Sequence, residues 1–299
     1  MIIKPTRSSG IAELLGSKPK SSDMVAPKKS NLVVSSSVIP EPDNWLKNIM
    51  DETLEKDQVL WAEPVRYFRG SEVGDPCLRS LCLSVMGHRM PIEANLRRIF
   101  DAGKNIEKVN VDTMIKAGLC PTENYTQASI KYPDPPIQGH TDVIVLRDKA
   151  KIRRYLGEIK SINEWPFKSL PKEHGPMLAS KSPLFEIKTP HKYIMQWNCY
   201  AGAPNMTFDE GFLLFEEKNT SAQKFYWLKR DDELLEKMFI RLRLAAPYIL
   251  SDPMLIPPYS LNMEEPPCKT CNRKYLCKNL PDYELDYTAV RNIDKELRG

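Results

Sequence analysis

Asp142, Glu158 and Lys160 are two carboxylates and an amine within 22 residues that can meet at one place. Side chains at i and i+2 of a strand point to the same face, so Glu158 and Lys160 project together. The stretch GHTDVIVLRDKAKIRRYLGEIK reads as two strands, Ile137–Leu146 and Ile152–Lys160, joined through Arg147, Asp148 and Lys149. Pairing as a hairpin would bring Asp142 beside Glu158. Converging carboxylates next to an ammonium suit metal-assisted phosphodiester hydrolysis. Hard divalent ions such as Mg²⁺ or Mn²⁺ prefer carboxylate and carbonyl oxygens, and they activate water and relieve phosphate charge. Asp142, Glu158 and the backbone carbonyl of Ile159 are the candidate ligands, with Lys160 as a point cation for the transition state. By spacing alone, E-x-K is more ordinarily a solvent-facing pair on an exposed strand.

Three flanking features strengthen the chemical reading. Gly139, three residues before Asp142, permits close backbone approach. In FDAGKNIEKV, Gly103 and Glu107 lie four apart on a helix and offer a third carboxylate. Gln196 and Tyr200 are i and i+4 on another helix, and so are neighbours on its surface. In this order the motifs resemble the RecB-like nucleases of the PD-(D/E)XK superfamily, including the iron–sulfur nucleases of CRISPR adaptation. That family carries a helix motif ending in His or Glu, then G-x-x-D, E-x-K and Q-x-x-x-Y. The resemblance covers roughly residues 77 to 277, with Glu107 where many members carry a metal-binding His. It implies a restriction-endonuclease-like α/β (α+β) core with a central mixed sheet flanked by helices. It also implies action on DNA, often from an end, with Glu107, Asp142 and Glu158 holding the ion and Gln196 and Tyr200 positioning substrate.

Cys268, Cys271 and Cys277 form C-x₂-C-x₅-C after a proline pair. Three cysteines need a fourth ligand for a tetrahedral zinc site or a cubane cluster. Cys77 is one candidate. Cys82 is its rival, but falls inside an apolar helical pattern. Ligand chemistry alone favours zinc. The resemblance instead implies a [4Fe–4S] cluster on Cys77, Cys268, Cys271 and Cys277, with Arg79 as the arginine of the following helix and four cysteines closing the domain.

The rest of the chain must position these groups. Its 299 residues, 41% hydrophobic and 27% charged, describe a globular protein with no apolar run long enough for a bilayer span. Seven cysteines without a secretion-type leader point to a reducing compartment, the cytoplasm or the host cytoplasm if the source is viral. A net charge of +4 permits nucleic acid binding without demanding it. Residues 1–40 have the composition of a disordered tail, with Ile11–Leu15 as a short apolar patch for a protein partner. A nuclease domain over 41–281 and a charged tail over 282–299 complete the expected organisation.

Helices are expected from Trp45, over Cys77–Arg89, over Ile92–Leu119, over HKYIMQWNCYAGA and over DDELLEKMFIRLRLAAPYIL. Strands are expected at Tyr125–Tyr132, GFLLFEE and QKFYWLKR. A turn-rich insertion from Ser161 to Pro190 leads to Lys192 and interleaves Lys168, Lys172, Lys181, Lys188 and Lys192 with Trp165, Phe167, Phe185 and Tyr193. Cations for phosphates and rings for unpaired bases make Arg79, Arg97, Lys168, Lys172 and Trp165 candidate contacts to DNA with single-stranded or free ends. His140 is expected to share a face with Asp142. A non-catalytic DNA-binding or assembly protein that keeps the nuclease fold with a structural zinc or Fe–S site, and an RNA-directed nuclease, are the competing functional readings.

Overall fold

The computed structural model describes residues 44–56, 58–121, 125–147, 153–257 and 268–280. The two expected tails, the Ile11–Leu15 patch and the turn at Asp148–Lys149 lie outside the described residues. From Trp45 onward the chain forms one unit. Its elements are α1 (Trp45–Lys56), β1 (Phe68–Arg69), α2 (Leu78–Val85), α3 (Ala94–Lys116), β2 (Ser129–Tyr132), β3 (Ile137–His140), β4 (Val143–Leu146) and β5 (Arg154–Ile162). They continue with α4 (Glu164–Ser169), β6 (His174–Leu178), α5 (Lys188–Ala201), β7 (Glu210–Glu217), β8 (Gln223–Lys229), α6 (Asp232–Leu250) and α7 (Lys274–Asn279). None of the described helices is long and apolar enough to cross a membrane.

The architecture is mixed α/β. A five-stranded sheet of order β4-β5-β7-β8-β6 stands beside a three-stranded sheet of order β1-β3-β2. In the large sheet β4–β5 and β7–β8 are antiparallel, while β5–β7 and β6–β8 are parallel. Strand alternation divides the core. Leu156, Leu213 and Phe215 face α5, where Trp197 and Ile194 are fully buried. Tyr155, Ile159, Phe212 and Leu214 face the other way, toward α3. That second face is partly open, leaving a cavity of about 930 Å³ floored by Phe212, Phe225 and Trp227. The carboxylate–lysine group lies across the sheet from it.

Several expected elements differ. The stretch Ile137–Leu146 is two strands in two sheets, broken at Thr141–Asp142. Long-range pairing explains the break. Ser129 lies opposite His140 in the small sheet, whereas Val143 lies opposite Gly157 in the large one. The supposed turn-rich insertion contains α4 and the edge strand β6, which gains its conformation by pairing with β8. The helix expected over Cys77–Arg89 stops at Val85, and Gly87 at φ +93° takes the chain out in a conformation suited to glycine. The strand expected from Tyr125 begins only at Ser129, after Gln127 at φ 49°.

α6 is fixed at its start by Asp231, whose Oδ1 accepts from the Leu234 N–H at 3.0 Å. Its Oδ2 accepts from the Ser180 N–H at 3.2 Å and from the Ser180 hydroxyl. Asn198 of α5 grips the Asp231 backbone, accepting from its N–H at 2.8 Å and donating to its carbonyl at 2.9 Å. Asp231→Ala removes the cap and strands the Ser180 hydroxyl. It is expected to cost about 2 kcal/mol or more in urea unfolding, with little change in m-value.

Candidate active site

The register of Val143 opposite Gly157 brings Asp142 level with Glu158 across β4 and β5. Asp142 Oδ2 accepts a hydrogen bond from the Ile159 N–H at 2.7 Å, which fixes the carboxylate to the neighbouring strand. Glu158 is completely buried. Its Oε1 accepts from the Lys160 ammonium and from Gln196 Nε2, the latter at 2.6 Å. Its Oε2 is buried without a hydrogen-bond partner. Lys160 Nζ lies 5.3 Å from the centre of the Tyr193 ring, a cation–π contact that helps hold it. Thus α5, packed on the sheet through Trp197, delivers Gln196 to the carboxylate. One turn later it delivers Tyr200 to a wall of the site.

Tyr200 explains two glycines. A Cβ on Gly70 would lie 2.2 Å from Tyr200 Cε1, and one on Gly139 would lie 2.6 Å from its hydroxyl. Both backbones therefore close over the ring. A third glycine serves α3: a Cβ on Gly103 would meet Ser161 Oγ at 2.9 Å, so the helix can lie close to β5. One turn further along α3, Glu107 Oε1 accepts from Gln127 Nε2 at 3.1 Å. Glu107, Asp142, Lys160, Gln196, Tyr200, Gly139 and His140 all line one cavity of about 780 Å³. His140 reaches it although the chain breaks at Thr141, so a shared strand face is not the reason.

The carboxyls crowd one another. Burial, and then the nearby Asp142 charge, pushes Glu158 up to about 8, with Lys160 acting in the opposite direction. Asp142 is raised by burial against the pull of Lys160 and the Ile159 N–H. Glu107 is raised by burial and then by Asp142. Burial alone would lower Lys160, but Glu158 and Asp142 outweigh it and hold the ammonium above its ordinary range. A crowded set of carboxyls, one with a buried oxygen lacking a partner, is the donor set that a hard divalent cation suits. Asp142 and Glu158 fit that role best; Glu107 stands further out with Gln127. As placed, no group of three or more His, Cys, Asp or Glu side chains among the described residues is arranged to hold a metal ion.

The cysteines converge from both ends of the described unit. Cys77 caps α2, its Sγ accepting from the Ser80 N–H at 3.4 Å. With Cys268 and Cys271 it lines a second cavity, of about 360 Å³. Burial raises the Cys77 thiol, and Cys268 and Cys271 add to the effect. Cys277 is pushed up to about 11 by burial, with Arg79 opposing and the other three cysteines adding. Arg273 ties the two ends together. Its Nη1 donates to Ser80 Oγ at 2.8 Å and its Nε to His88 Nδ1 at 3.3 Å. Because Nδ1 accepts, His88 Nε2 carries the proton and donates to the Tyr275 hydroxyl at 3.1 Å. Cys82 is fully buried on α2 and takes no part in lining the thiol cavity.

The expected DNA contacts divide. Arg79 is 3% exposed and lies near Cys277. It is corrected from a DNA contact to a buried residue of the cysteine region, because a guanidinium so enclosed cannot reach a phosphate on the surface. Arg97 is half-buried on α3, Lys168 pairs with Glu164, and Lys172 is exposed. Trp165 is 83% exposed. None of these four lines the 780 Å³ cavity. Sequence reasoning missed Tyr67, Arg69, Ser71, Phe100 and Lys104, which do line it. The signal available was Gly70 among polar residues in FRGSE, the place where the backbone meets Tyr200.

No protein-family model matches the chain, and no curated protein matches it. Solved structures give low similarity. LHK-Exo in complex with dAMP is 16% identical, over 62% of this chain and 88% of that one, with a TM-score of 0.41. The alkaline exonuclease LHK-Exo from Laribacter hongkongensis is 14% identical over the same shares, with a TM-score of 0.40. SSO0001 is 13% identical over 79% of this chain and 96% of that one, with a TM-score of 0.40. Likeness at this level does not assign the chain to a family; its own residues carry the functional reading.

Proposed function

We propose that this chain is a metal-dependent deoxyribonuclease of the RecB-like PD-(D/E)XK kind that hydrolyses phosphodiester bonds from strand ends. The observation that carries this reading is the buried Glu158, flanked by Lys160, Gln196 and Asp142, with one oxygen lacking a partner. Asp142 and Glu158, with the Ile159 backbone and Glu107 at the rim, would hold Mg²⁺ or Mn²⁺. When bound, that ion supplies Lewis acidity and lowers the pKa of water. Lys160 presents a fixed cation to charge developing on the phosphate. Gln196 holds Glu158 in register with it. Tyr200 and the two glycine backbones pressed on it give the cavity a rigid wall.

The test is end-labelled single- and double-stranded DNA with Mn²⁺, with and without EDTA, for the wild type and Lys160→Ala. Lys160→Ala is expected to lower kcat by roughly 10²–10³-fold, and chelation to abolish cleavage. Cleavage indifferent to both would remove the assignment.

The finer reading of the cysteines is a [4Fe–4S] cluster, in preference to zinc, on Cys77, Cys268, Cys271 and Cys277. It is supported by Cys77, Cys268 and Cys271 lining one cavity, with Cys277 near enough for the other three to raise its thiol. Its role is structural. Anaerobically purified protein is expected to contain iron and absorb visible light; protein with zinc and no visible band would carry the other metal, and protein with neither would refute the site.

A further inference from the structure

The two cavities share a wall. Along α5, Lys188, Lys192, Gln196 and Tyr200 follow one another at intervals of four, forming a ridge that winds slowly about the helix. Gln196 and Tyr200 line the catalytic cavity, while Lys188 and Lys192 line the cysteine cavity. The segment from Arg69 to Cys77 runs beside this ridge. Its Gly70 is pressed on Tyr200, and a Cβ on Gly74 would lie 3.0 Å from the Lys192 Cα. Lys188 and Lys192 thus begin where the reacting groups end, about 18 Å from Lys188 to Tyr200 along the helix axis.

The charge along this path is one-sided. Lys188 and Lys192 make no ion pair among the described residues, and Arg273 stands in the same cavity. The carboxylate there, Asp75, accepts from the Cys77 N–H at 2.9 Å and from the Ser80 hydroxyl at 3.3 Å. Its oxygens are engaged by α2 rather than by the lysines.

We propose that Lys188 and Lys192 form a phosphate track that holds the DNA backbone a few nucleotides from the scissile bond, leading it along α5 into the catalytic cavity. This rests on the nuclease reading of that cavity and names the part of the substrate it grips. Lys188 and Lys192 are positioning residues: they touch distant phosphates, not the reacting one. The surface around the cysteines then binds substrate as well as closing the fold.

The experiment compares a long single-stranded oligonucleotide with a dinucleotide too short to reach the lysines, using the full chain with Mn²⁺. Lys188→Glu with Lys192→Glu is expected to raise KM for the long strand at least tenfold and leave its kcat unchanged. It should also flatten the salt dependence of binding by a slope of about 1.4, two phosphate contacts' worth, and leave dinucleotide cleavage as in the wild type. Lys188→Gln with Lys192→Gln should move the same quantities less far. Wild-type KM and salt slope in both double variants would overturn the track, as would an equal loss on the dinucleotide. Failure of the wild type to cleave either substrate would instead refute the nuclease reading.

Discussion

Glu158→Gln is expected to lower turnover by roughly 10³-fold and to abolish tight Mn²⁺ binding in calorimetric titration. The amide matches the carboxylate in shape and can still accept from Lys160 and Gln196 through its oxygen. What it loses is the charge, and with it the anionic oxygen that has no partner in the buried site. Retained activity in this variant would move the catalytic centre elsewhere.

The same substitution has a signature in stability. Burial and Asp142 raise the Glu158 carboxyl to about 8 in the folded chain, against an ordinary value of 4.5. The folded protein therefore keeps a proton that the unfolded chain releases. That contribution is complete below 4.5 and is lost as pH rises through the folded value near 8. In EDTA, the wild type is expected to lose thermal stability between about pH 5 and pH 8, and Glu158→Gln to lose much less. A wild-type melting temperature that rises across this window would contradict the burial-driven shift.

The second large effect concerns the cysteines. Cys77→Ala with Cys277→Ala is expected to lower Tm by roughly 8–16 °C, as the loss of about 4 kcal/mol does in a domain of this size. The Arg273–Ser80 and His88–Tyr275 bonds remain, so the loss should be local. Hydrogen exchange should quicken in residues 78–89 and 268–280 together and stay slow in β5, β7 and β8. Quickening at only one end would show that the two segments do not depend on a common metal.

Much of the site was legible because its signals are local. The i, i+2 spacing of Glu158 and Lys160 on β5 and the i, i+4 spacing of Gln196 and Tyr200 on α5 need only strand and helix geometry. The apolar run of β7 and the partial alternation of β8 are equally self-contained. What escaped depends on distant partners. IQGHTDVIVL reads as one strand because nothing local marks where it leaves β2 for β5. His174–Leu178 contains Gly175 and Pro176 and has little strand character; β8 supplies the edge that makes it a strand. Arg79 falls between apolar positions of α2 and reads as outward-facing. Yet every residue of α2 except Leu78 is buried, a condition that a one-sided helical pattern cannot express.

Arg273 and Ser80 are bonded across 193 residues of chain. A ribosome adding about 5–20 residues per second makes the first partner roughly 10–40 s before the second. Throughout that interval Cys77 and Ser80 are without the cysteines and the arginine that later meet them. The whole five-stranded sheet has been synthesised by then, so the pocket for Asp142 and Glu158 can assemble before the clasp closes. A nascent chain thus leaves Cys77 and Ser80 open to oxidation and to chaperone or protease capture until the segment carrying Arg273 has been made.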